Sequence, residues 1–149
     1  MGTIKLNTLT NKIIFGAFAL LILFSFDASA KKVKFMTSAL VPAARGYVKI
    51  DQDKSSNYDI KINISNLAEV YRLQPSKLTY IVWLVTGDGI TMNMGKMNST
   101  IGFFFKKLRA TFETETLLKP VRIFITAEDD PSRQYPGTEV ALTTSTFII

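Results

Sequence analysis

The sequence predicts an all-β fold, an immunoglobulin-like antiparallel β-sandwich of about eight or nine short strands. Three observations carry this. Residues 45–51 and 58–65 alternate apolar and polar side chains with a period of two, as half-buried strands do. Residues 79–86 (Thr-Tyr-Ile-Val-Trp-Leu-Val-Thr) are β-branched and aromatic without a charge, the pattern of a strand buried on both faces. Turn signals recur roughly every ten residues, and helical periodicity is almost absent.

Residues 31–40 open the domain as an edge strand, with Val33 and Phe35 set between lysines that blunt its edge. Residues 45–51 and 58–65 form a hairpin around a polar tip; Val48, Ile50, Ile60, Ile62 and Ile64 face the core, and Lys49 and Asp59 face water. The connection over residues 66–77 carries Leu67, Val70, Tyr71 and Leu73 toward one end of the core. Gln74-Pro75 closes it, because the residue before a proline is pushed out of the helical region. After residues 79–86, Asp88-Gly89 supplies the positive φ angles of a tight hairpin. The chain returns over residues 90–97 with Ile90, Met92 and Met94 on one face. A second hairpin joins residues 98–105 to 109–115 through Lys106-Lys107. Two further strands place Val121, Ile123 and Ile125, then Val140 and Leu142, toward the core. Trp83, the single tryptophan, is expected between the two sheets beside Ile62, Ile81, Val85, Ile123 or Ile125.

The first 30 residues read as a signal peptide. Lys5 and Lys12 precede an apolar run over residues 13–26, and Asp27-Ala28-Ser29-Ala30 offers small residues for cleavage after Ala30. The run falls short of the roughly 20 apolar residues that span a bilayer. An uncleaved membrane anchor is the alternative and the one route to membrane attachment. The domain then covers residues 31–149, enough for one core. Losing Lys5, Lys12 and Asp27 leaves 16 basic and 11 acidic residues, a net charge of +5. That charge keeps the chain soluble and favours anionic surfaces. Cysteine and histidine are both absent. A disulfide, a thiol nucleophile, a Cys/His zinc site and a histidine base are therefore excluded.

The second half resembles the extracytoplasmic C-terminal domain of anti-sigma-K-type factors. The residues that carry the resemblance are Tyr80-Ile-Val-Trp-Leu-Val-Thr86, Gly87-Asp88-Gly89, Met94-Gly95-Lys96-Met97, Ile123-Phe-Ile-Thr-Ala-Glu128 and Tyr135-Pro-Gly-Thr-Glu-Val-Ala-Leu142. Asp129 stands where the family pattern has a proline after the glutamate, and Pro136-Gly137-Thr138 departs from its ending. The resemblance implies a sandwich in the bacterial envelope. It does not imply sigma-factor control, since only residues 1–12 precede the apolar run and the family's helical sigma-binding domain has no counterpart there. A stand-alone exported relative is the reading that fits.

Several side-chain groupings invite a chemical role. Asp51-Gln52-Asp53-Lys54-Ser55-Ser56 opens like a calcium loop, but the glycine position holds Ser56 and the bidentate glutamate position holds Ile62. A hairpin tip is the better reading. Glu128, Asp129 and Asp130 are the candidate metal ligands, since a hard cation would relieve three adjacent carboxylates; the competing reading is a solvated loop offset by Arg133. Glu113 and Glu115 share one face of one strand rather than opposing each other across a cleft, so glycosidase chemistry is disfavoured. Ser76-Lys77 would need a desolvated lysine to act as a nucleophile pair. Phe103, Phe104 and Phe105, with Lys106, Lys107 and Arg109 beside them, form a possible interaction patch, apolar with a cationic rim.

The expectation is an exported, non-catalytic envelope module without a cofactor, binding a protein, a glycan or an anionic membrane surface. Export directs the basic patch away from nucleic acid. A carboxylate- or cation-dependent hydrolase and a purely structural accessory domain are the alternatives.

Overall fold

The computed structural model describes residues 30–101 and 108–149, with the side chains of residues 99–101 left aside. The expected signal peptide, apart from Ala30, lies outside the described residues, as do Phe103, Phe104, Phe105, Lys106 and Lys107. Nine strands are present among the described residues: β1 (Lys31–Lys34), β2 (Arg45–Gln52), β3 (Tyr58–Ser65), β4 (Thr79–Thr86), β5 (Thr91–Lys96), β6 (Asn98–Ile101), β7 (Leu108–Thr116), β8 (Pro120–Glu128) and β9 (Val140–Thr143). They form two antiparallel sheets in the orders β1-β2-β3-β7-β6 and β5-β4-β8-β9. Without β1, this four-on-four order is that of an immunoglobulin-like sandwich.

Each pairing follows from the local sequence. Asp53 builds the tip of the β2–β3 hairpin by accepting the Ser55 and Asn57 amides, both at 2.8 Å. Ser56 and Asn66, at φ 65° and 57°, are the two non-glycine residues with positive φ among the described residues. Gly89, at φ 86°, turns β4 into β5 and donates its amide to the Thr86 carbonyl at 3.0 Å.

Both sides of the sandwich are linked. On one side, β5 runs directly into β6, and the chain changes sheets at Met97, whose amide donates to the Tyr80 carbonyl at 2.9 Å. On the other, Phe35 bridges Thr144, and the Met36 amide donates to the Thr143 carbonyl at 2.9 Å. The first strand of one sheet thus meets the last strand of the other.

Val48, Ile50, Ile60, Ile62, Ala110 and Phe112 fill the core from the first sheet; Tyr80, Val82, Leu84, Ile123, Ile125 and Leu142 fill it from the second. Leu67 and Leu73 close one end, flanking a short 3-10 turn over Val70–Arg72. Tyr71 in that turn is exposed. Burial pushes the Tyr80 phenol up to about 12, and its hydroxyl donates to the Ala68 carbonyl at 2.8 Å.

Trp83 is wholly buried, but not between the sheets. It lies on the outward face of the second sheet in a separate cluster with Ile81, Val85 and Phe124. Alternation along β4 sends Tyr80, Val82 and Leu84 inward and the tryptophan outward. Its ring lies 6.2 Å from that of Phe124, and its indole N–H donates to the Thr126 hydroxyl at 2.7 Å. The segment after β8 crosses this face. Asn93, the cross-strand neighbour of Trp83, donates its amide to the Pro131 and Arg133 carbonyls at 3.0 and 2.8 Å.

Register shifts correct two further expectations and mark a third place in the second sheet. Between Val85 and Thr86 the extra residue on β8 is Val121, which joins the outer cluster rather than the core. Between Ile125 and Thr126 the extra residue is Ala141, so Leu142 is buried inward while Val140, opposite Thr126, is 43% exposed. Between Val82 and Trp83 the extra residue is Met94, which packs against the core; Met92, opposite Leu84, keeps the same side as expected, though it and Ile90 are exposed near the hairpin tip.

At Gly46 the β2–β3 pairing leaves no room for a side chain. A Cβ there would lie 2.5 Å from the Asn63 carbonyl oxygen and 2.8 Å from Ile64 Cγ1. Gly46→Ala should therefore force the two strands apart and cost about 1–3 kcal/mol, the usual range for overpacking. A urea midpoint equal to that of the wild type would show that the strands can separate freely.

Candidate functional site

The outward face of the first sheet is electrically polarised along its strands. At one end Asp51, Asp59 and Glu115 align across β2, β3 and β7. The next row holds Lys32, Lys49, Lys61 and Glu113. These rows neutralise each other in part, with Lys49 at 3.5 Å from Asp51 and Lys61 at 3.1 Å from Asp59. Hydrogen bonding to Asp59 and the carboxylates nearby hold the Lys61 ammonium above its ordinary pKa.

Toward the other end the carboxylates stop. Lys34, Tyr47, Asn63 and Thr111 form one row, and Arg45, Ser65 and Arg109 the next. Together with Lys32 they line a groove of about 560 Å³ that crosses β1, β2, β3 and β7. Among the described residues, four cations and no carboxylate line it. Two of the cations are held in place. The Arg45 guanidinium donates to the Pro42 and Ala44 carbonyls, both at 2.7 Å. The Lys32 ammonium sits 3.8 Å from the centre of the Tyr47 ring, a cation–π contact. Phe35, Gly46, Ile64 and Ala110 complete the lining, and the missing side chain at Gly46 lets the two strands approach closely beneath it.

Arg109 is the described member of the expected interaction patch. It sits in this groove, opposite Ser65 of β3. The sequence reading missed the groove, because its cations come from three separate strands. The signal was available in the alternation: Lys32, Lys34, Arg45, Tyr47, Asn63, Arg109 and Thr111 all occupy outward positions.

The acidic cluster separates into three unlike environments. Glu128 is 1% exposed; it accepts from Arg133 at 3.0 Å and from the Gly137 amide at 2.7 Å. Asp129 pairs with Lys77 at 2.7 Å. Asp130 accepts from the Ser132 hydroxyl at 2.6 Å and the Ser132 amide at 2.8 Å, which holds its pKa below the ordinary carboxylate value. The three carboxylates thus have separate partners, and Glu128 ties the loop to the sheet. In the other loop, Asp53 holds its pKa low by accepting from its own hairpin, chiefly the Asn57 amide. Lys77 is the reverse of a nucleophilic lysine: its hydrogen bond to Asp129 raises its pKa and keeps it protonated.

A scan against family models and searches of curated proteins and solved structures each find no match for this chain.

Proposed function

We propose that this chain is an exported, non-catalytic β-sandwich module of the bacterial envelope, a stand-alone relative of the extracytoplasmic domain of anti-sigma-K-type factors, that binds a protein, glycan or membrane surface through the basic groove of its first sheet. The groove is the observation that carries the reading: among the described residues four cations without a carboxylate converge there, while the opposite end of the same face is neutralised in part by its own ion pairs. Two facts argue against turnover. The sequence has no histidine or cysteine, which removes the commonest base and the strongest side-chain nucleophile. Lys77 is held in its charged form beside Ser76. The small-residue exit Ala28-Ser29-Ala30 supports export.

Two measurements test this. N-terminal sequencing of the native protein should begin at Lys31; a chain that still begins at Met1 and fractionates with membrane would overturn export by cleavage. The purified protein should co-sediment with isolated cell envelopes, less so at high salt, because exposed charges are screened within about 8–10 Å. It should also leave nitrophenyl esters and glycosides intact. Turnover abolished by Glu113→Gln would establish the hydrolase instead, and a protein that never co-sediments would be an accessory domain.

A further inference from the structure

The groove has a chemistry more specific than positive charge. Its cations flank side chains that both donate and accept hydrogen bonds: the Tyr47 and Thr111 hydroxyls and the Asn63 amide. It crosses four strands, and at about 4.8 Å per strand its floor extends about 14 Å. That length suits consecutive units of a charged chain rather than one small anion.

We propose that this groove binds an acidic polysaccharide, with Lys32, Lys34 and Arg109 meeting its anionic groups and Tyr47, Asn63 and Thr111 meeting its hydroxyls. The proposal rests on the binding-module reading above and assigns that module its ligand. Sugar hydroxyls are donors and acceptors at once, and so are the groups on the groove floor. Cations beside hydroxyl- and amide-bearing side chains suit a polymer that carries both charges and hydroxyls. Lys32 covers one face of Tyr47, so the ring contributes its hydroxyl rather than a free stacking surface.

Two other occupants fit less well. An extended peptide gains affinity from backbone hydrogen bonds at a sheet edge. Here β2, β3 and β7 are paired on both sides, and the one free edge among the described residues there, that of β1, borders the groove rather than crossing its floor. A lipid surface is met by apolar side chains that insert between headgroups. The exposed side chains of this groove are lysine, arginine, asparagine and threonine.

The test uses the purified protein and four probes: polygalacturonate, neutral dextran, polyglutamate, and vesicles of phosphatidylglycerol with phosphatidylcholine. Polygalacturonate should bind best and dextran not at all. The pair Lys34→Gln with Arg109→Gln should weaken polygalacturonate binding at least tenfold. Lys49→Gln with Lys61→Gln removes the same charge from the adjacent, ion-paired row outside the groove lining and should change it less than threefold. Circular dichroism melts of both variants check that they are folded, and both are expected to melt cooperatively. Tyr47→Phe should also weaken binding, since the ring stays and the hydroxyl goes.

Equal losses from the two charge pairs would show diffuse attraction and overturn the site. Tighter binding of polyglutamate would make the occupant an acidic protein segment, and tighter binding of vesicles a membrane; either overturns the polysaccharide. If polygalacturonate fails to bind while envelope co-sedimentation persists and falls with Lys34→Gln plus Arg109→Gln, the ligand class is wrong and the module stands. Loss of both would overturn the module as well.

Discussion

Trp83→Ala should destabilise the protein by about 3–5 kcal/mol, the range for deleting a large aromatic side chain from a packed interior. Three losses combine. The cluster of Ile81, Val85 and Phe124 loses its largest member. Phe124 loses a stacked ring. The Thr126 hydroxyl, itself fully buried, loses the indole that donates to it. Trp83→Phe keeps a ring beside Phe124 and should cost less. Urea denaturation followed by circular dichroism measures both, since the substitution removes the only tryptophan. Because Trp83 lies under a loop rather than between the sheets, Asn93→Ala should shift its emission to the red by releasing the Pro131 and Arg133 carbonyls. Emission unchanged by Asn93→Ala would mean that something else covers the ring.

The second large effect belongs to Glu128 and Gly137. Glu128→Ala leaves the Gly137 amide without its acceptor and should cost about 1–3 kcal/mol. Deleting one member of a fully buried ion pair costs more, but Arg133 is 45% exposed and can turn to water. Gly137→Ala should be comparably damaging, because its Cβ would lie 2.7 Å from Glu128 Oε2 and 2.9 Å from Oε1. The two losses should not add. With the carboxylate gone, the alanine at 137 has room, so the double variant should be more stable than the sum of the singles requires. Simple additivity in a double-mutant cycle would show that the glycine is needed for some other reason.

These two sites also mark where the sequence was readable and where it was not. The β2–β3 hairpin was legible residue by residue, since Val48, Ile50, Ile60, Ile62 and Ile64 keep an unbroken period of two. The place of the Asp88-Gly89 turn was legible but not its type: Gly89 alone takes a positive φ, after a turn over Gly87 and Asp88 closed by the Gly89 amide on Thr86. The face of Trp83 was not. A strand buried on both sides has no polar phase to say which way it points. Val121 and Val140 were misplaced because each lies at or beyond a register shift, after which alternation changes phase. Glu128 looked like part of a loop, yet it continues the outward series Arg122, Phe124, Thr126 along β8 and is buried by the segment folded over it. The groove was least legible. Lys34 and Arg109 become neighbours of one surface only after β1, β2, β3 and β7 have chosen their partners and registers.

The corner where Phe35 meets Thr144 has a kinetic consequence. Its two halves stand more than a hundred residues apart, and loop-closure entropy must be spent before so distant a contact returns anything. Hairpins such as β2–β3 can form within microseconds, whereas a sandwich dominated by distant pairings folds in milliseconds to seconds. The corner is therefore expected to close late, after both sheets have assembled. Contacts absent from the folding transition state govern escape from the native state rather than arrival at it. Substitutions at Phe35 or Thr144 should accordingly speed unfolding while leaving the folding rate nearly unchanged, so that this corner sets how long the native protein lasts.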